Sequence, residues 1–387
     1  MEGSTTSVTT EQLASGEVAY LLNGDQTTIT WYQTIGTDAV PVLDDSRKMV
    51  YQKLACDGET PVYRNVNEDE SHVDINHDGM CDACETFING VALRGSNLTL
   101  NGNIGLNLFF EIDEEVKAEI LADETAIIRF TLPDGSVREV PAKEGVEDTT
   151  AVVGTTLYKY PCELTAKQMT DKVKVQFVTD GNVIAEYEYS IADYAAVIIA
   201  NAEGKYSAES IALVKAMLNY GAYAQKNFGY NAENLANAQL AENEKSLSSV
   251  TVDTFESSKA SGMTVDGLGT FAGSSLVLKS ETTLKVYFEP AEGVTAEDLT
   301  FTVDGEEVIA TTSGEYLVIS ITDIKAQELD KVFAVKVSDG NSEGTFNACV
   351  FAYCYSVLSD TTGRFSEELK DVVKALYLYN VAADAYF

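Results

Sequence analysis

The chain has 387 residues, which is more than one hydrophobic core usually contains, so we expect two or three domains. Its 61 acidic and 26 basic residues give a net charge of −35 at pH 7, which repels phosphate backbones and anionic lipid headgroups and excludes nucleic acid as an expected partner. No apolar run approaches the roughly 20 residues of a membrane span, so no span is predicted. These properties fit a monomeric, acidic protein of the extracellular space or cell surface.

Residues 1–52 are predicted to form a small N-terminal cap. The polar start, MEGSTTSVTTEQ, lacks a basic and then hydrophobic signal segment, and we expect the chain to be a fragment of a longer secreted protein. The pattern predicts a helix over about 11–23, a turn at 23–25 and a strand over 28–33.

Residues 53–87 are predicted to form an acidic linker, and it contains the sharpest motif of the chain, DINHDGMCDACE at 74–85. Calcium needs roughly six to eight oxygen ligands, with a bidentate carboxylate at the end of the loop and a glycine where the loop turns sharply. The order of residues matches an EF-hand loop at every required position. The predicted calcium ligands are Asp74, Asn76, Asp78, the carbonyl of Met80, Asp82 and Glu85. Neither flanking helix is evident, so the motif resembles the isolated calcium loops of dockerin-like segments and is expected to stiffen a joint.

The same loop also carries a C-x-x-C pair, Cys81 and Cys84, which supports an alternative zinc site. Cys56 with His72 or His77 could complete a tetrahedral set of ligands. Two further alternatives are a local disulfide between Cys81 and Cys84 and a solvated acidic loop without an ion. The remaining cysteines are predicted to be small buried hydrophobic residues: Cys162, Cys349 and Cys354.

Residues 88–249 and 250–387 are predicted to be two copies of one module. LNLFFE at 106–111 returns as LKVYFE at 284–289, and the segment around Tyr194 returns around Tyr353 without a gap. Alternating apolar residues predict strands, and the end of each module has the helical spacing of two helices joined by a short turn.

In the first module Ser207 is the expected N-cap of the second helix and Gly229 its C-terminal stop. The polar connection over 229–249 is predicted to be flexible or partly helical. The predicted fold class is therefore α+β, mainly β: two tandem immunoglobulin-like β-sandwich modules, each closed by an αα-hairpin, after a small cap and a calcium-loop linker.

Two segments resemble parts of a known class of protein. SGEVAYLLNG and ITWYQTIGTDAVPVLD, at 15–24 and 29–44, resemble the segment that closes repeat regions in large secreted modular surface proteins of anaerobic Gram-positive gut bacteria. NYGAYAQKNFGYNAENLANA at 219–238 is similar to a module in the C-terminal regions of those proteins. The resemblance implies an extracellular binding or scaffold role, although the second copy departs from NYGAYAQ and has LYNVAAD.

The sequence favours a protein without enzymatic activity. Its only histidines, His72 and His77, lie in or beside the loop, which leaves no Ser-His-Asp or Cys-His arrangement elsewhere. Motifs for zinc proteases, nucleotide binding and nucleophile elbows are missing. A glycosidase with two catalytic carboxylates remains an alternative, because such a pair is recognised by its geometry and not by a sequence motif. A duplicated small β unit is nevertheless more typical of a spacer or a binding module.

The chain has 20 tyrosines and one tryptophan, and tyrosine supplies amphipathic contact area at low entropic cost. Tyr220, Tyr223 and Tyr230 are the predicted partner-binding residues, with packing inside the module as the alternative. The expected function is that of a surface or secreted adhesin that binds a host protein, immunoglobulin being one such partner. The alternatives are a structural stalk and a carbohydrate-binding accessory module, the latter disfavoured by the lone Trp31.

Overall fold

The architecture is mainly β, with several antiparallel sheets and helices packed beside them. The computed structural model describes residues 7–54, 56, 60–65, 72–82, 84–99, 104–150, 154–201, 204–260, 262–278 and 281–387. The α+β, mainly β class predicted from the sequence is thereby confirmed.

A glycine divides the N-terminal helix in two. One helix is predicted over 11–23, but the chain forms α1 (Thr10–Ala14) and α2 (Glu17–Asn23). Gly16 lies between them with a φ of 91°, and a Cβ atom there would lie 2.8 Å from Ile35 Cδ1. Residues 28–33, all within the described part of the chain, form no strand beyond an isolated bridge between Tyr32 and Val42.

A short antiparallel strand pair completes the cap. Strand β1 (Tyr51–Leu54) pairs with β2 (Pro61–Arg64), so the pair continues past residue 52 into the segment predicted as linker. Ala19 of α2 packs with Tyr63 of β2 in a small separate apolar cluster. The cap therefore has its own core.

The first β unit consists of two four-stranded antiparallel sheets. Its elements are β3 (Val91–Thr99), β4 (Gly105–Ile112), α3 (Lys117–Ala122), β5 (Ile127–Thr131), β6 (Val137–Pro141), β7 (Val146–Asp148), β8 (Leu157–Glu163), β9 (Val173–Thr179) and β10 (Asn182–Tyr189). The strand orders are β3-β4-β8-β7 and β10-β9-β5-β6. The sheets pack against each other where Phe110 of β4 meets Phe177 of β9, with ring centroids 5.5 Å apart.

A helix pair and a short helix follow the first β unit. Their bounds are α4 (Ile191–Ala200), α5 (Ala208–Phe228) and α6 (Glu242–Lys245). The Ser207 hydroxyl accepts a hydrogen bond from the Ser210 N–H at 3.1 Å, and Gly229 ends α5 in the left-handed conformation at a φ of 58°. Both predicted caps of α5 are therefore confirmed.

The second β unit pairs a five-stranded sheet with a four-stranded one. Its elements are β11 (Met263–Val265), β12 (Gly269–Leu278), β13 (Thr282–Pro290), β14 (Thr300–Val303), β15 (Glu306–Val308), β16 (Thr311–Ser313), β17 (Tyr316–Ile324), β18 (Phe333–Ser338) and β19 (Glu343–Ala348), followed by α7 (Val350–Leu358) and α8 (Glu367–Tyr386). The strand orders are β11-β12-β13-β17-β16 and β15-β14-β18-β19. Phe288 of β13 meets Phe301 of β14 at a centroid distance of 5.6 Å, which joins the two sheets.

Helices α5 and α8 connect the two β units through their interiors. Tyr220 of α5 stacks on Tyr379 of α8, with ring centroids 5.8 Å apart and planes inclined by 12°. Both rings are buried, and one continuous apolar cluster includes residues of both units. Apolar contacts therefore continue across residue 249, the predicted boundary between the two modules.

The connection over 229–249, predicted to be flexible or partly helical, is fastened to α5 by a buried polar network. The Gln225 side chain donates to the Asn234 carbonyl at 2.9 Å and accepts from the Ala236 N–H at 2.8 Å. Asn237 donates to the side chain of Asn219 at 2.7 Å. The connection is partly helical, as predicted, because it contains α6, and its polar groups satisfy one another in the interior.

Candidate metal centre

The loop at 74–85 is folded tightly against the first strand of the β unit. The Asp74 carboxylate accepts hydrogen bonds from the N–H groups of Asp78 and Gly79 at 3.1 and 2.9 Å, and the Leu93 N–H donates to the Asp78 carbonyl at 2.7 Å. Gly79 has a φ of 91°, and a Cβ atom there would lie 2.0 Å from the Val91 carbonyl oxygen. Only glycine allows the loop to approach β3 this closely.

The end of the loop turns back on itself and places two thiols side by side. The Cys81 N–H donates to the Thr86 carbonyl at 2.9 Å, and the Glu85 N–H donates to the Cys81 carbonyl at 2.9 Å. Glu85 adopts a left-handed conformation with a φ of 56°. This backbone turn brings Cys84 next to Cys81.

Four potential metal ligands meet at this turn. The ligand atoms of Cys56, His72, Cys81 and Cys84 all lie within 4.8 Å of one another. The Sγ atoms of Cys56 and Cys81 are 3.5 Å apart, and Cys84 Sγ lies 3.5 Å from His72 Nδ1. In a tetrahedral zinc site, bonds of about 2.3 Å put sulfur ligands about 3.8 Å apart. The spacing therefore suits one ion of that size.

Contacts within the cluster shift the pKa values of Cys56, His72 and Cys84. A hydrogen bond from Cys56, and a second from Thr86, lower the pKa of the Cys84 thiol. The same contact with Cys84 is the main cause that raises the pKa of Cys56 to about 12. Hydrogen bonds to Cys81 and Cys84 raise the pKa of His72. A divalent cation at the centre would take the place of these shared protons, since thiol ligands bind metals as thiolates.

The structure places one of the two candidate histidines in the cluster and leaves the other outside. His77 is exposed and left-handed, with a φ of 59°. Its carbonyl accepts from the Glu186 N–H at 3.2 Å, which holds this part of the loop against β10. His72 precedes the loop and joins Cys56 instead. The spacing along the sequence could not show which histidine joins the cysteines. The choice depends on the direction in which the folded chain runs between each histidine and the cluster.

The predicted calcium ligands are only partly brought together. Five of the six line one cavity of about 490 Å³: Asn76, Asp78, Met80, Asp82 and Glu85. The Asp78 and Asp82 carboxylates accept hydrogen bonds from the N–H groups of Met80 and Ile75, at 2.8 and 2.6 Å. Among the residues that the structure describes, the group of Cys, His and acidic side chains close enough to share an ion is the cysteine and histidine cluster. Calcium binding by the loop stays a prediction.

The three tyrosines predicted to bind a partner make contacts within the chain. Tyr220 is only 3% exposed, and its stacking on α8 removes it from any free surface, so we correct its assignment as a partner-binding residue. The half-buried Tyr223 donates to the Lys245 carbonyl at 3.0 Å. Tyr230, also half-buried, donates to the Asp171 carboxylate at 2.5 Å.

The six cysteines all lie in the described part of the chain, and no disulfide joins them. The alternative of a Cys81–Cys84 disulfide is therefore not realised in this structure. The three cysteines outside the cluster are buried in the apolar core, as predicted: Cys162, Cys349 and Cys354.

Comparisons with known proteins give no assignment. None of the helices in the described residues has the length and apolar character needed to cross a membrane. Neither protein-family models nor curated proteins nor solved structures match the chain.

Proposed function

We propose that the chain is a non-enzymatic scaffold of an extracellular surface protein, in which a structural zinc ion fixes the N-terminal cap to the first β unit. The observation that carries this proposal is the convergence of Cys56, His72, Cys81 and Cys84 within 4.8 Å. The cluster takes one of the only two histidines of the chain, so His77 is the one imidazole left for acid–base chemistry at any other site.

Zinc fits this set of ligands better than calcium does. Thiolate and imidazole are soft or borderline ligands that suit zinc, whereas calcium takes oxygen ligands. Three cysteines and one histidine are a common closed structural zinc site, with no position left for a substrate. This ligand set supports a structural rather than a catalytic ion.

The ligands come from two parts of the chain that the ion would tie together. Cys56 follows β1 of the cap, whereas Cys81 and Cys84 belong to the loop that is hydrogen-bonded to β3 through Asp78 and Leu93. An ion held by both would close the joint between the cap and the first β unit. Binding energy at such a site contributes directly to folding stability.

We infer further that the two β units are tandem copies of an immunoglobulin-like sandwich, each closed by an αα-hairpin. Similar irregularities support this inference: the pairing of β3 with β4 shifts just before Gly95, and that of β12 with β13 shifts just before Gly273. Gly95 faces Phe109 across the sheet, as Gly273 faces Tyr287. The order β3-β4-β8 in the first unit corresponds to β12-β13-β17 in the second.

The stalk hypothesis gains support from the contact between the two units. The stacked pair Tyr220 and Tyr379 is buried in a continuous core, so the units would move as one body and would suit a rigid spacer. An adhesin that binds a host protein such as immunoglobulin stays a prediction, since the tyrosines expected to carry that role are engaged within the chain. The extracellular setting rests on the sequence resemblance.

Cobalt substitution tests the zinc proposal. Co²⁺ replaces Zn²⁺ in tetrahedral thiolate sites and gives visible absorption bands that report the coordination number and the sulfur ligands. The reduced, metal-free full chain should bind one equivalent of Co²⁺ with an intense tetrahedral spectrum, and Zn²⁺ should then displace it. A weak spectrum of octahedral type, or none, would refute the proposal. Cys84→Ser should weaken the sulfur-to-metal band, while Cys354→Ser, outside the cluster, should leave it unchanged.

A further inference from the structure

A cleft of about 490 Å³ lies between the five-stranded sheet of the second β unit and its helices. This volume falls in the usual range of small-ligand sites. Its lining combines aromatic rings, hydroxyl groups and one guanidinium, chiefly Ser275, Tyr287, Tyr316, Tyr353, Arg364 and Phe365. The cleft is remote in sequence from the metal centre, and neither the scaffold role nor the zinc ion accounts for it.

The aromatic rings form a corner rather than a row. Tyr287 and Tyr316 meet edge to face, with centroids 5.8 Å apart and planes inclined by 84°. The Ser275 hydroxyl lies 2.8 Å from the Tyr287 hydroxyl, so two polar groups lie together at the edge of the Tyr287 ring. A corner of this kind accommodates one ring-shaped group, whereas a long glycan needs an extended coplanar platform. Sugar rings match the lining because they offer C–H faces to aromatic rings and hydroxyls to polar groups.

The positive charge of Arg364 at the cleft favours sugars that carry a carboxylate. Arg364 lies in the turn between α7 and α8, is exposed, and its guanidinium stands 5.0 Å from the centre of the Phe365 ring. Among the described residues no acidic side chain lines the cleft itself, and the nearest acidic contact is the Glu315 side chain, which is hydrogen-bonded to Tyr316. A guanidinium binds a carboxylate through two parallel hydrogen bonds, which adds geometric selectivity.

We propose that this cleft binds a carboxylate-bearing sugar at the end of a glycan, with the sugar ring in the tyrosine corner and its carboxylate on Arg364. This binding function is independent of the zinc proposal and goes beyond a scaffold role. Sialic acids and uronic acids share the required chemistry, and the experiment below distinguishes them.

The first β unit supplies an internal control. At the corresponding turn, between α4 and α5, Lys205 lies 5.7 Å from the centre of the Tyr206 ring, so a cation beside an aromatic ring occurs in both units. The residue that pairs with the strand glycine differs between the two units. Tyr287 lies opposite Gly273 in the second unit, whereas Phe109, which has no hydroxyl, lies opposite Gly95 in the first. We therefore expect only the second unit to bind the acidic sugar.

The test is a calorimetric or NMR titration of the full chain with 3′-sialyllactose, with methyl β-glucuronide and with neutral lactose, at physiological salt, because salt screens the repulsion from the acidic chain. At least one acidic sugar should bind while lactose binds at least about tenfold more weakly. Whichever acidic sugar binds more tightly shows whether the cleft takes a sialic acid or a uronic acid.

Variants locate the site. Arg364→Ala should weaken binding by about tenfold or more, because a charge-assisted pair is lost, whereas Lys205→Ala should leave it unchanged. Tyr287→Phe keeps the ring and removes only the hydroxyl, so it should weaken binding severalfold in a chain that remains folded. Binding should persist when zinc is chelated. The proposal is wrong if neither acidic sugar binds, if lactose binds equally well, if Arg364→Ala and Lys205→Ala behave alike, or if an acidic peptide displaces the sugar.

Discussion

The Sγ atoms of Cys56 and Cys81 lie 3.5 Å apart, although 25 positions separate the two residues in the sequence. The contact joins the end of β1 to a loop held against β3. Because the cap has its own small core around Ala19 and Tyr63, its attachment to the rest of the chain depends on contacts of this kind. The stability of the cap should therefore depend on the ion that we propose between the thiols.

Removal of zinc should loosen the cap before it affects the sheets. Trp31 is the only tryptophan, and its backbone is hydrogen-bonded to the Asn23 side chain at 2.9 and 2.8 Å, so its fluorescence reports the cap. Zinc at about 1,000 times its dissociation constant would stabilise the folded cap by about 4 kcal/mol. We expect chelation to lower the urea midpoint of Trp31 fluorescence and to leave the far-ultraviolet signal of the sheets unchanged.

Adding metals back to the stripped protein separates the two metal hypotheses. Zn²⁺ should restore the Trp31 transition, and Ca²⁺ alone should not. Restoration by Ca²⁺ and not by Zn²⁺ would favour the EF-hand-type loop and contradict the zinc centre. Glu85→Gln is the control for this comparison. It removes a predicted calcium ligand but leaves the cysteine cluster unchanged, so it should not affect restoration by Zn²⁺.

Gly79→Ala should damage the loop more than a glycine change at an open turn. The added methyl would lie 2.0 Å from the Val91 carbonyl, and the backbone has a φ of 91°, so we expect a loss of about 3 kcal/mol together with weaker zinc binding. Gly135→Ala is the control, because its φ is 81° but nothing lies within 4 Å, and only about 1–2 kcal/mol is expected. Equal losses in urea denaturation would show that the approach to β3 is not close.

Tyr220→Ala should lower the free energy of unfolding and should not act by removing a contact with a partner. Truncating a fully buried aromatic ring costs about 3–5 kcal/mol, and here the ring joins the two β units through Tyr379. Tyr223→Ala, which loses one half-buried ring and its hydrogen bond to Lys245, should cost about 2 kcal/mol. Denaturation followed by circular dichroism measures both variants, and a Tyr220→Ala protein of unchanged stability would contradict the buried stack.

Gln225→Ala should release the connection between the two units. The change leaves the Ala236 N–H and the Asn234 carbonyl without their partner, at a cost of about 1–3 kcal/mol for each unsatisfied buried group. Hydrogen exchange over residues 229–241 should therefore become faster. Lys226→Ala, next to it on the exposed face of α5, should leave the exchange rates as they are.

Local signals predicted helix caps well and long-range partners poorly. Ser207 and Gly229 bound α5 as expected, because capping depends on residues within one turn. Tyr220 is predicted to bind a partner, with packing inside the module as the alternative, because the local patterns that predict α5 and α8 do not show that Tyr220 stacks on Tyr379. A single helix was expected over 11–23, because nothing nearby in the sequence shows that Ile35 crowds Gly16.

The metal loop shows the same limit. Its spacing of acidic residues and glycine matches a calcium loop, and the turns that this spacing implies are present. The sequence named Cys56 and either histidine as candidates to complete the C-x-x-C pair, but only the fold shows that Cys56 and His72 lie beside the two thiols of the loop. Which of the two histidines joins the cluster also depends on the folded path of the loop, and this path places His72 beside the thiols and His77 away from them.

The most direct measurement of the zinc centre is the metal content of two matched histidine variants. His72→Asn and His77→Asn make the same chemical change at positions five residues apart, and asparagine tolerates the left-handed backbone of His77. Native mass spectrometry of the reduced full chain should find one zinc per wild-type and His77→Asn chain, and a loss of zinc affinity of at least about tenfold in His72→Asn. Equal zinc retention by the two variants, or a wild-type chain that binds no zinc, would contradict the centre.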